Sequence, residues 1–113
     1  MNLLIVKYTR AARDYTADKP VVCICDPDFS NLLIAMREHP EAKFEVDYSF
    51  ALQRFDVDTA LITAQDMAAG IALTALAYGK SVILDRRIAL GDSQARLERI
   101  AKKSGLVLTQ EAL

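Results

Sequence analysis

The side chains of this chain that could carry out chemistry are few and lie far apart in the sequence. Its single histidine, His39, has no visible partner that would make it a general base, so neither a Ser-His-Asp nor a Cys-His arrangement can be proposed. His39 precedes Pro40 at the end of a predicted helix, where a cation interacts favourably with the helix dipole. We therefore expect a structural role for His39 and no acid–base role.

The two cysteines, Cys23 and Cys25, are the only thiols. They lie two residues apart in a run that is typical of a strand, so their side chains share one face and are poorly placed for a disulfide. Two thiols and one histidine cannot fill a four-ligand zinc site. We expect two buried, reduced thiols and no metal site.

Asp26 directly follows this cysteine run. Its side chain can cap the next helix or the turn that runs through Pro27 to Asp28. If Asp28 or Ser30 is the actual helix cap, the Asp26 carboxylate is left free for a ligand. The sequence leaves both roles of Asp26 open.

The elements that must position these residues alternate along the whole chain. Continuous apolar runs, typical of strands buried on both faces, cover residues 3–6, 21–25, 59–63, 81–84 and 106–108, and a weaker edge strand covers 43–47. Helical patterns lie between them, at 10–17, 32–38, 50–54, 67–77 and 93–104. This alternation predicts a Rossmann-like α/β fold, a doubly wound and mostly parallel sheet of about six strands with helices on both faces.

Length and composition favour one domain that spans residues 1–113. A chain of this size buries roughly two-thirds of its unfolded surface, which is enough for a single core. The net charge of −1 gives no electrostatic footprint for nucleic acid or for an anionic membrane. No apolar run approaches the ~20 residues that cross a bilayer, and the N-terminus lacks signal-peptide features. We therefore expect a cytoplasmic protein that binds neither nucleic acid nor membrane.

Three phrases of the sequence together resemble the motifs of one family. Residues 21–28 (VVCICDPD) are similar to V-x-V-x-D, residues 56–64 (DVDTALITA) to D-V-D-A-V-x-I-A-T-P, and residues 75–90 (ALAYGKSVILDRRIAL) to A-L-x-A-G-K-x-V-x-x-E-K-P-x-A-L. On these motifs the chain resembles the N-terminal nucleotide-binding domain of the Gfo/Idh/MocA oxidoreductases. The resemblance implies a Rossmann domain with NAD or NADP as cofactor, and it makes Asp26, Thr63 and Arg86 the candidate cofactor-binding residues. Asp26 matches the acidic residue that accepts hydrogen bonds from a ribose hydroxyl in such folds.

The chain departs from this family where the cofactor is held and used. The turn at residues 6–13 (VKYTRAAR) has no glycine, so side chains occupy space that a pyrophosphate would need. Ala64 and Ala68 replace the proline and histidine of T-P-x-x-x-H. Arg86 replaces the lysine of E-K-P, and a guanidinium cannot readily donate a proton near neutral pH. Tight cofactor binding is not expected, and no catalytic residue is assigned.

Lys7, Arg10 and Arg13 in the glycine-free turn could offer charge to a phosphate or could lie solvated at the surface. Family enzymes continue into a second α/β domain that carries most substrate contacts, whereas this sequence stops just past its last predicted strand. Two classes of function remain open. One is a small noncatalytic binding or assembly module with weak nucleotide affinity. The other is the cofactor-binding subunit of a split oxidoreductase whose substrate domain another chain supplies.

The missing glycines and Arg86 favour the first of these classes. A domain that normally packs against a second one should expose an edge strand and apolar helix surface. Closed two-fold pairing is the commonest way to cover such a surface, so we expect a homodimer, with a different protein as the other possible partner. Residues 106–113 are the first candidate contact and the helix at residues 67–78 is the second.

Overall fold

The computed structural model describes all 113 residues, and strands and helices alternate along it. The strands are β1 (Leu3–Val6), β2 (Val21–Cys25), β3 (Lys43–Glu45), β4 (Thr59–Ile62), β5 (Ser81–Asp85) and β6 (Leu108–Glu111). The helices are α1 (Arg10–Tyr15), α2 (Phe29–Glu38), α3 (Tyr48–Leu52), α4 (Ala68–Ala77) and α5 (Ser93–Ser104). None of these helices has the length and apolar character needed to cross a membrane.

All six strands form one parallel sheet in the order β3-β2-β1-β4-β5-β6. The chain starts in the middle of the sheet and winds out to β3. It then returns to place β4 beside β1, with Leu3 opposite Thr59, and winds out the other way to β6. Ligand crevices of such sheets lie outside the carboxyl ends of the strands where the winding reverses, which here is between β1 and β4. The predicted six-stranded Rossmann-like fold is confirmed.

Two apolar cores cover the two faces of this sheet, and β1 contributes to both. Leu4 and Val6 point into the larger core, which includes residues of α3, α4 and α5. Leu3 and Ile5 point into the smaller core, which includes residues of α1 and α2. All four side chains are buried, as a continuous apolar strand in a sheet covered on both faces requires. The crevice between β1 and β4 therefore lies at the end of a strand that is packed on both faces.

The last strand occupies residues 108–111, so the predicted span of 106–108 was wrong. Helix α5 ends at Ser104 and is followed by Gly105, whose φ of +70° is left-handed, and the Leu106 N–H still bonds to the Ala101 carbonyl. Leu106 therefore belongs to the turn that closes the helix, although its side chain packs on the larger core. The apolar signal of this segment comes from that packing and not from strand pairing. Helix α3 likewise starts two residues earlier than predicted, because Asp47 caps it by accepting a hydrogen bond from the Ser49 N–H.

Candidate functional site

The turn between β1 and α1 forms one wall of the crevice. Lys7 has a φ of +71°, in the left-handed region that glycine adopts most easily. Thr9 caps α1 by accepting a hydrogen bond from the Ala12 N–H at 3.2 Å, and Ala12 is fully buried. Positions 7, 9 and 12 have the spacing of the glycines in G-x-G-x-x-G. The first of these positions thus keeps the left-handed backbone that a glycine would adopt easily, and a lysine occupies it under strain.

Two threonine hydroxyls meet across this crevice. The Thr9 hydroxyl donates to the Thr63 hydroxyl at 3.0 Å, and the Thr63 hydroxyl donates to the Lys7 carbonyl at 2.8 Å. Thr63 directly follows β4 and is buried. The structure therefore places this predicted cofactor contact in the crevice, where its side chain binds the turn after β1. A glycine at position 9 would leave that space open.

Asp26 lies at the carboxyl end of β2 and is 1% exposed. One carboxylate oxygen accepts hydrogen bonds from the Tyr8 N–H and from the Asn31 side-chain amide, both at 3.0 Å. The other oxygen accepts from the Asp28 N–H at 2.9 Å, which closes the turn that was one of the roles left open. Helix α2 is capped by Asp28, which accepts from the Ser30 N–H. The buried Asp26 carboxylate therefore links β2 to the turn after β1 through hydrogen bonds. A ribose hydroxyl would have to compete with these donors for the carboxylate.

The two arginines after β5 have different surroundings. The Arg87 guanidinium pairs with the carboxylate of Asp85, with Nη2 at 2.6 Å from Oδ2 and Nε at 3.2 Å from Oδ1. This hydrogen bonding holds the pKa of Asp85 below its usual value, although burial of the carboxyl opposes the effect. The Arg86 side chain is exposed and forms no hydrogen bond, while its backbone N–H bonds to the Glu111 carbonyl. The structure thus brings Arg87 into the crevice and leaves Arg86, the predicted contact, outside it.

These residues line a polar cavity of about 620 Å³. It lies outside the carboxyl ends of β1, β4 and β5, at the point where the winding reverses. Its charged lining consists of three cations and three carboxylates: Lys7, Arg10, Arg87, Asp14, Asp66 and Asp85. A pyrophosphate in this cavity would meet as many negative side chains as positive ones. The positively charged cradle that would substitute for the missing glycines is absent. Arg13 lies elsewhere, in an ion pair with Glu38.

A second cavity of about 700 Å³ adjoins the first, and Lys7 and Asp66 line both. Seven of its eleven lining residues are hydrophobic, among them Val6, Tyr48 and Ile71, so it suits a flat apolar group better than a charged one. It lies among the residues that follow β2, β3 and β4. The crevice is therefore divided into a charge-balanced part and an apolar part.

The two cysteines lie in the core, away from the polar cavity. Cys23 and Cys25 are buried, form no disulfide and both face the larger core, so the predicted pair of buried thiols on one face is confirmed. Burial raises the pKa of Cys23 to about 11 and that of Cys25 to about 12, which leaves neither thiol nucleophilic near neutral pH. No cluster of three or more potential ligands could hold a metal ion. His39 ends α2 and packs edge-on against Tyr8, in the structural role expected of it.

Lys80 is a buried lysine to which the sequence interpretation gave no role. Its ammonium group donates to the Arg54 carbonyl at 2.6 Å and to the Val57 carbonyl at 2.7 Å. These contacts lie at the start of β5, at the end of the sheet opposite to the crevice. Lys80 therefore closes the segment between α3 and β4 and does not belong to the candidate site.

Solved oxidoreductases share this fold. Biliverdin reductase from Synechocystis sp. PCC 6803, solved with biliverdin and NADP+, is 22% identical over 97% of this chain and 37% of that chain, with a TM-score of 0.87. A 3-ketoreductase from Actinomadura kijaniata, solved with TDP-benzene and NADP, is 19% identical, and the match covers 98% of this chain and 37% of that chain with a TM-score of 0.84. The WlbA dehydrogenase from Chromobacterium violaceum, solved with NADH and UDP-GlcNAcA, is 18% identical, and the match covers 96% of this chain and 34% of that chain with a TM-score of 0.82.

This chain spans about a third of the length of these solved proteins. They are Gfo/Idh/MocA-type NAD(P) oxidoreductases matched over their N-terminal Rossmann part, so the resemblance predicted from the motifs is confirmed as a likeness of fold. No protein-family model matches the sequence, and no curated protein is detectably similar to it.

Proposed function

We propose that this domain is a noncatalytic Rossmann-like binding or assembly module that does not hold NAD or NADP tightly. The observation that carries the proposal is the hydrogen bond between the hydroxyls of Thr9 and Thr63, which crosses the crevice between β1 and β4. In a glycine-rich turn, the second glycine leaves this space free for close approach of the pyrophosphate to the backbone. Here two side chains fill it and hold each other in place.

The start of α1 supports the same conclusion. The helix has six residues, and the Thr9 side chain already accepts a hydrogen bond from the Ala12 N–H. A short helix with an occupied N-terminus has little dipole and few free donors to offer an anion. Because the charges around the cavity also balance, neither the backbone nor the side chains attract a pyrophosphate strongly.

The residues around the crevice also lack a proton donor suited to neutral pH. Ala68 carries no ionisable group, and the Arg86 side chain is exposed and lies outside the crevice. Hydrogen bonds from Arg87 lower the pKa of Asp85, so this carboxylate stays ionised and cannot act as a general acid. These features support a module that does not catalyse hydride transfer.

Weak nucleotide affinity is part of the proposal because the apolar cavity stays open. Its hydrophobic lining can take a base even though the neighbouring cavity repels and attracts phosphate charges about equally. The module then acts by assembling, with itself in the simplest case. Two buried, unpaired thiols support a cytoplasmic location, where thiols stay reduced, and cell fractionation tests that location.

Calorimetric titration with oxidised and reduced NAD and NADP tests the binding part of the proposal. We expect no saturable binding in the low micromolar range, and such binding would refute the proposal. A Thr9→Gly variant should bind more tightly than the wild type, because it removes the hydroxyl that crosses the crevice. Thr109→Gly, on β6 and remote from the crevice, is the matched control and should leave affinity unchanged.

Absorbance at the nicotinamide band, with a panel of sugars, inositols and sugar acids, tests for catalysis. We expect no cofactor-dependent turnover. Turnover that survives purification and disappears in Asp85→Ala or Arg86→Ala would overturn the noncatalytic assignment. Thr109→Gly again serves as the control, since it changes neither the crevice nor the residues after β5.

A further inference from the structure

The sheet has an unpaired edge at β3. On its inner side β3 pairs with β2, with Phe44 opposite Ile24, and the Glu45 carbonyl accepts a hydrogen bond from the Asp26 N–H at 3.1 Å. Backbone groups of successive strand residues point to opposite sides, so the N–H and C=O of Phe44 point away from β2. Phe44 therefore presents one free donor and one free acceptor at the open edge.

The side chains of β3 lie on two different faces. Phe44 packs against the smaller core, on the face that α1 and α2 cover. Its neighbours Lys43 and Glu45 point to the opposite face, where Glu45 lies 3.9 Å from the guanidinium of Arg54. Lys43 is exposed and forms no ion pair within the chain. Along the strand, the edge thus carries a positive charge before Phe44 and a negative charge after it, and both charges lie on the face opposite to the aromatic ring.

Helix α2 adds an apolar stripe on the face of Phe44. Phe29, Leu33 and Met36 follow one another at helical spacing and are 60%, 45% and 36% exposed. The residue opposite to them on the helix is Glu38. We call these three residues the α2 stripe.

The orientation of α2 follows from the contacts of Glu38. One of its oxygens accepts a hydrogen bond from the Tyr8 hydroxyl at 2.7 Å, and the other pairs with Arg13 of α1, also at 2.7 Å. Since Glu38 faces α1, the α2 stripe lies on the side of α2 away from α1. Because α2 connects β2 to the outer strand β3, that side faces the open edge of the sheet.

We propose that the β3 edge and the α2 stripe form a two-fold interface with a second copy of this chain, an inference that rests on the self-assembly part of the proposed function. Antiparallel pairing centred on Phe44 lets the two Phe44 residues exchange both backbone hydrogen bonds. The same register sets Lys43 of each copy opposite Glu45 of the other, on one face of the sheet. The two α2 stripes then meet on the other face.

The charge pattern is what selects a second copy as the partner. A two-fold interface requires a surface that complements itself after rotation. The tripeptide from Lys43 to Glu45 meets this condition, since reversing it exchanges the positive and negative ends around the same phenylalanine. Three strand residues bury less than the ~800 Å² per partner of a stable interface, and the exposed α2 stripe supplies further apolar area.

The opposite edge of the sheet, at β6, lacks this complementarity. Leu108 packs on the larger core, and the carboxylate of Glu111 accepts a hydrogen bond from the Tyr15 hydroxyl at 2.8 Å. Between them lie Thr109 and Gln110, which are uncharged. The β3 edge is therefore a better dimer contact than residues 106–113, the segment that the sequence interpretation placed first.

Sedimentation equilibrium over a concentration series, from low to several hundred micromolar, tests this interface with two charge variants. Lys43→Glu and Glu45→Lys each replace two attractive cross-strand pairs by two repulsive ones, so each should weaken self-association by roughly thirtyfold. An equimolar mixture of the two variants restores both opposite-charge pairs and should form a heterodimer as tight as the wild-type dimer. That recovery also shows that both variants are folded.

The double variant Lys43→Glu with Glu45→Lys should also dimerise like the wild type, because the exchange restores charge complementarity. Thr109→Lys on β6 is the control and should not affect association. A wild type that stays monomeric throughout would overturn both self-assembly and this interface. A wild-type dimer whose dissociation constant is unchanged by the single charge variants, or a mixture that fails to associate, would overturn this interface alone.

Discussion

Two buried aspartates, Asp26 and Asp85, stand at the carboxyl ends of β2 and β5, one on each side of the crevice. Asp26 is held by neutral donors that belong to the chain's own turns, namely two backbone N–H groups and the Asn31 amide. Asp85 accepts one backbone hydrogen bond, from the Arg87 N–H, and is otherwise held by the guanidinium of Arg87, whose side chain is 67% exposed. The first carboxylate is part of the framework, whereas the second belongs to an ion pair that solvent can reach.

This difference indicates on which side of the crevice the side chains can rearrange when a ligand enters. Moving Asp26 would break hydrogen bonds that fix the turn after β1, so the fold itself opposes such a change. Opening the pair between Asp85 and Arg87 moves only an exposed guanidinium, and the backbone N–H of Arg87 still donates to the Asp85 carboxylate at 3.0 Å. A ligand that enters the polar cavity therefore meets a fixed wall on the β2 side and an adjustable one on the β5 side.

The largest effect is expected for Asp26→Ala. The substitution leaves the Tyr8 and Asp28 N–H groups without their acceptor, and it should lower the free energy of unfolding by about 3 to 5 kcal/mol. Urea denaturation measures this loss. Asp28→Ala, which removes only the exposed cap of α2, is the control. If the two variants were equally destabilised, Asp26 would not have the framework role described above.

Asp85→Asn should have a smaller, pH-dependent effect. Because Arg87 lowers the pKa of Asp85 in the folded state, the stabilisation is complete above the unfolded value of about 3.9 and is lost as the pH falls through the folded value. The wild type should therefore exceed the variant in Tm near neutral pH, and the two should converge in acid. Thermal unfolding monitored by circular dichroism over this range provides the measurement. A Tm difference that persists unchanged below the folded pKa would contradict the assignment.

Lys7→Gly should stabilise the fold by about 0.5 to 1 kcal/mol. Glycine removes a left-handed strain of about 1 to 2 kcal/mol, and its greater unfolded-state entropy offsets part of this gain. Lys103→Gly, at an exposed position inside α5, makes the same replacement in right-handed backbone and should destabilise by about 1 kcal/mol. Urea denaturation of both variants measures whether the free energy of unfolding rises for Lys7→Gly and falls for Lys103→Gly. Destabilisation by Lys7→Gly would show that the lysine side chain contributes more than its backbone strain costs.

The smallest effect is expected for Arg86→Ala, which removes an exposed side chain without a hydrogen-bonding partner. Its Tm should match that of the wild type at every pH. Arg87→Ala should instead reduce the acid-dependent stabilisation described for Asp85, since it removes the guanidinium and leaves only the backbone N–H of residue 87 as a donor to this carboxylate. A clear loss of stability in Arg86→Ala would indicate a contact that the structure does not show.

The sequence predicted the framework well, because its strands are buried on both faces and read as unbroken apolar runs. Residues 3–6 and 21–25, for example, were assigned within their observed bounds. The site was harder to predict, because its contacts join residues that are distant in sequence. The bond from Tyr8 to Asp26 spans 18 positions, and the one from Thr9 to Thr63 spans 54. No local pattern signals either bond.

Two further features of the site depend on backbone geometry that residue types do not reveal. Lysine has no preference for left-handed backbone, so the φ of Lys7 could not be anticipated. The family motif pointed to Arg86, but the turn after β5 directs the next side chain, that of Arg87, into the crevice. The spacing of positions 7, 9 and 12 matches that of the glycines in G-x-G-x-x-G. Because none of these residues is a glycine, the match can be recognised only after the structure shows where the turn lies.

The contact between Asp26 and the turn after β1 also decides which backbone donors of the turn a ligand could reach. The Asp26 carboxylate acts as a tethered anion, held at the end of a buried strand against the Tyr8 N–H. A tethered group of this kind competes at a high effective concentration. An anion that approaches the Tyr8 N–H therefore competes with an acceptor that the chain itself supplies, so this donor is satisfied within the chain.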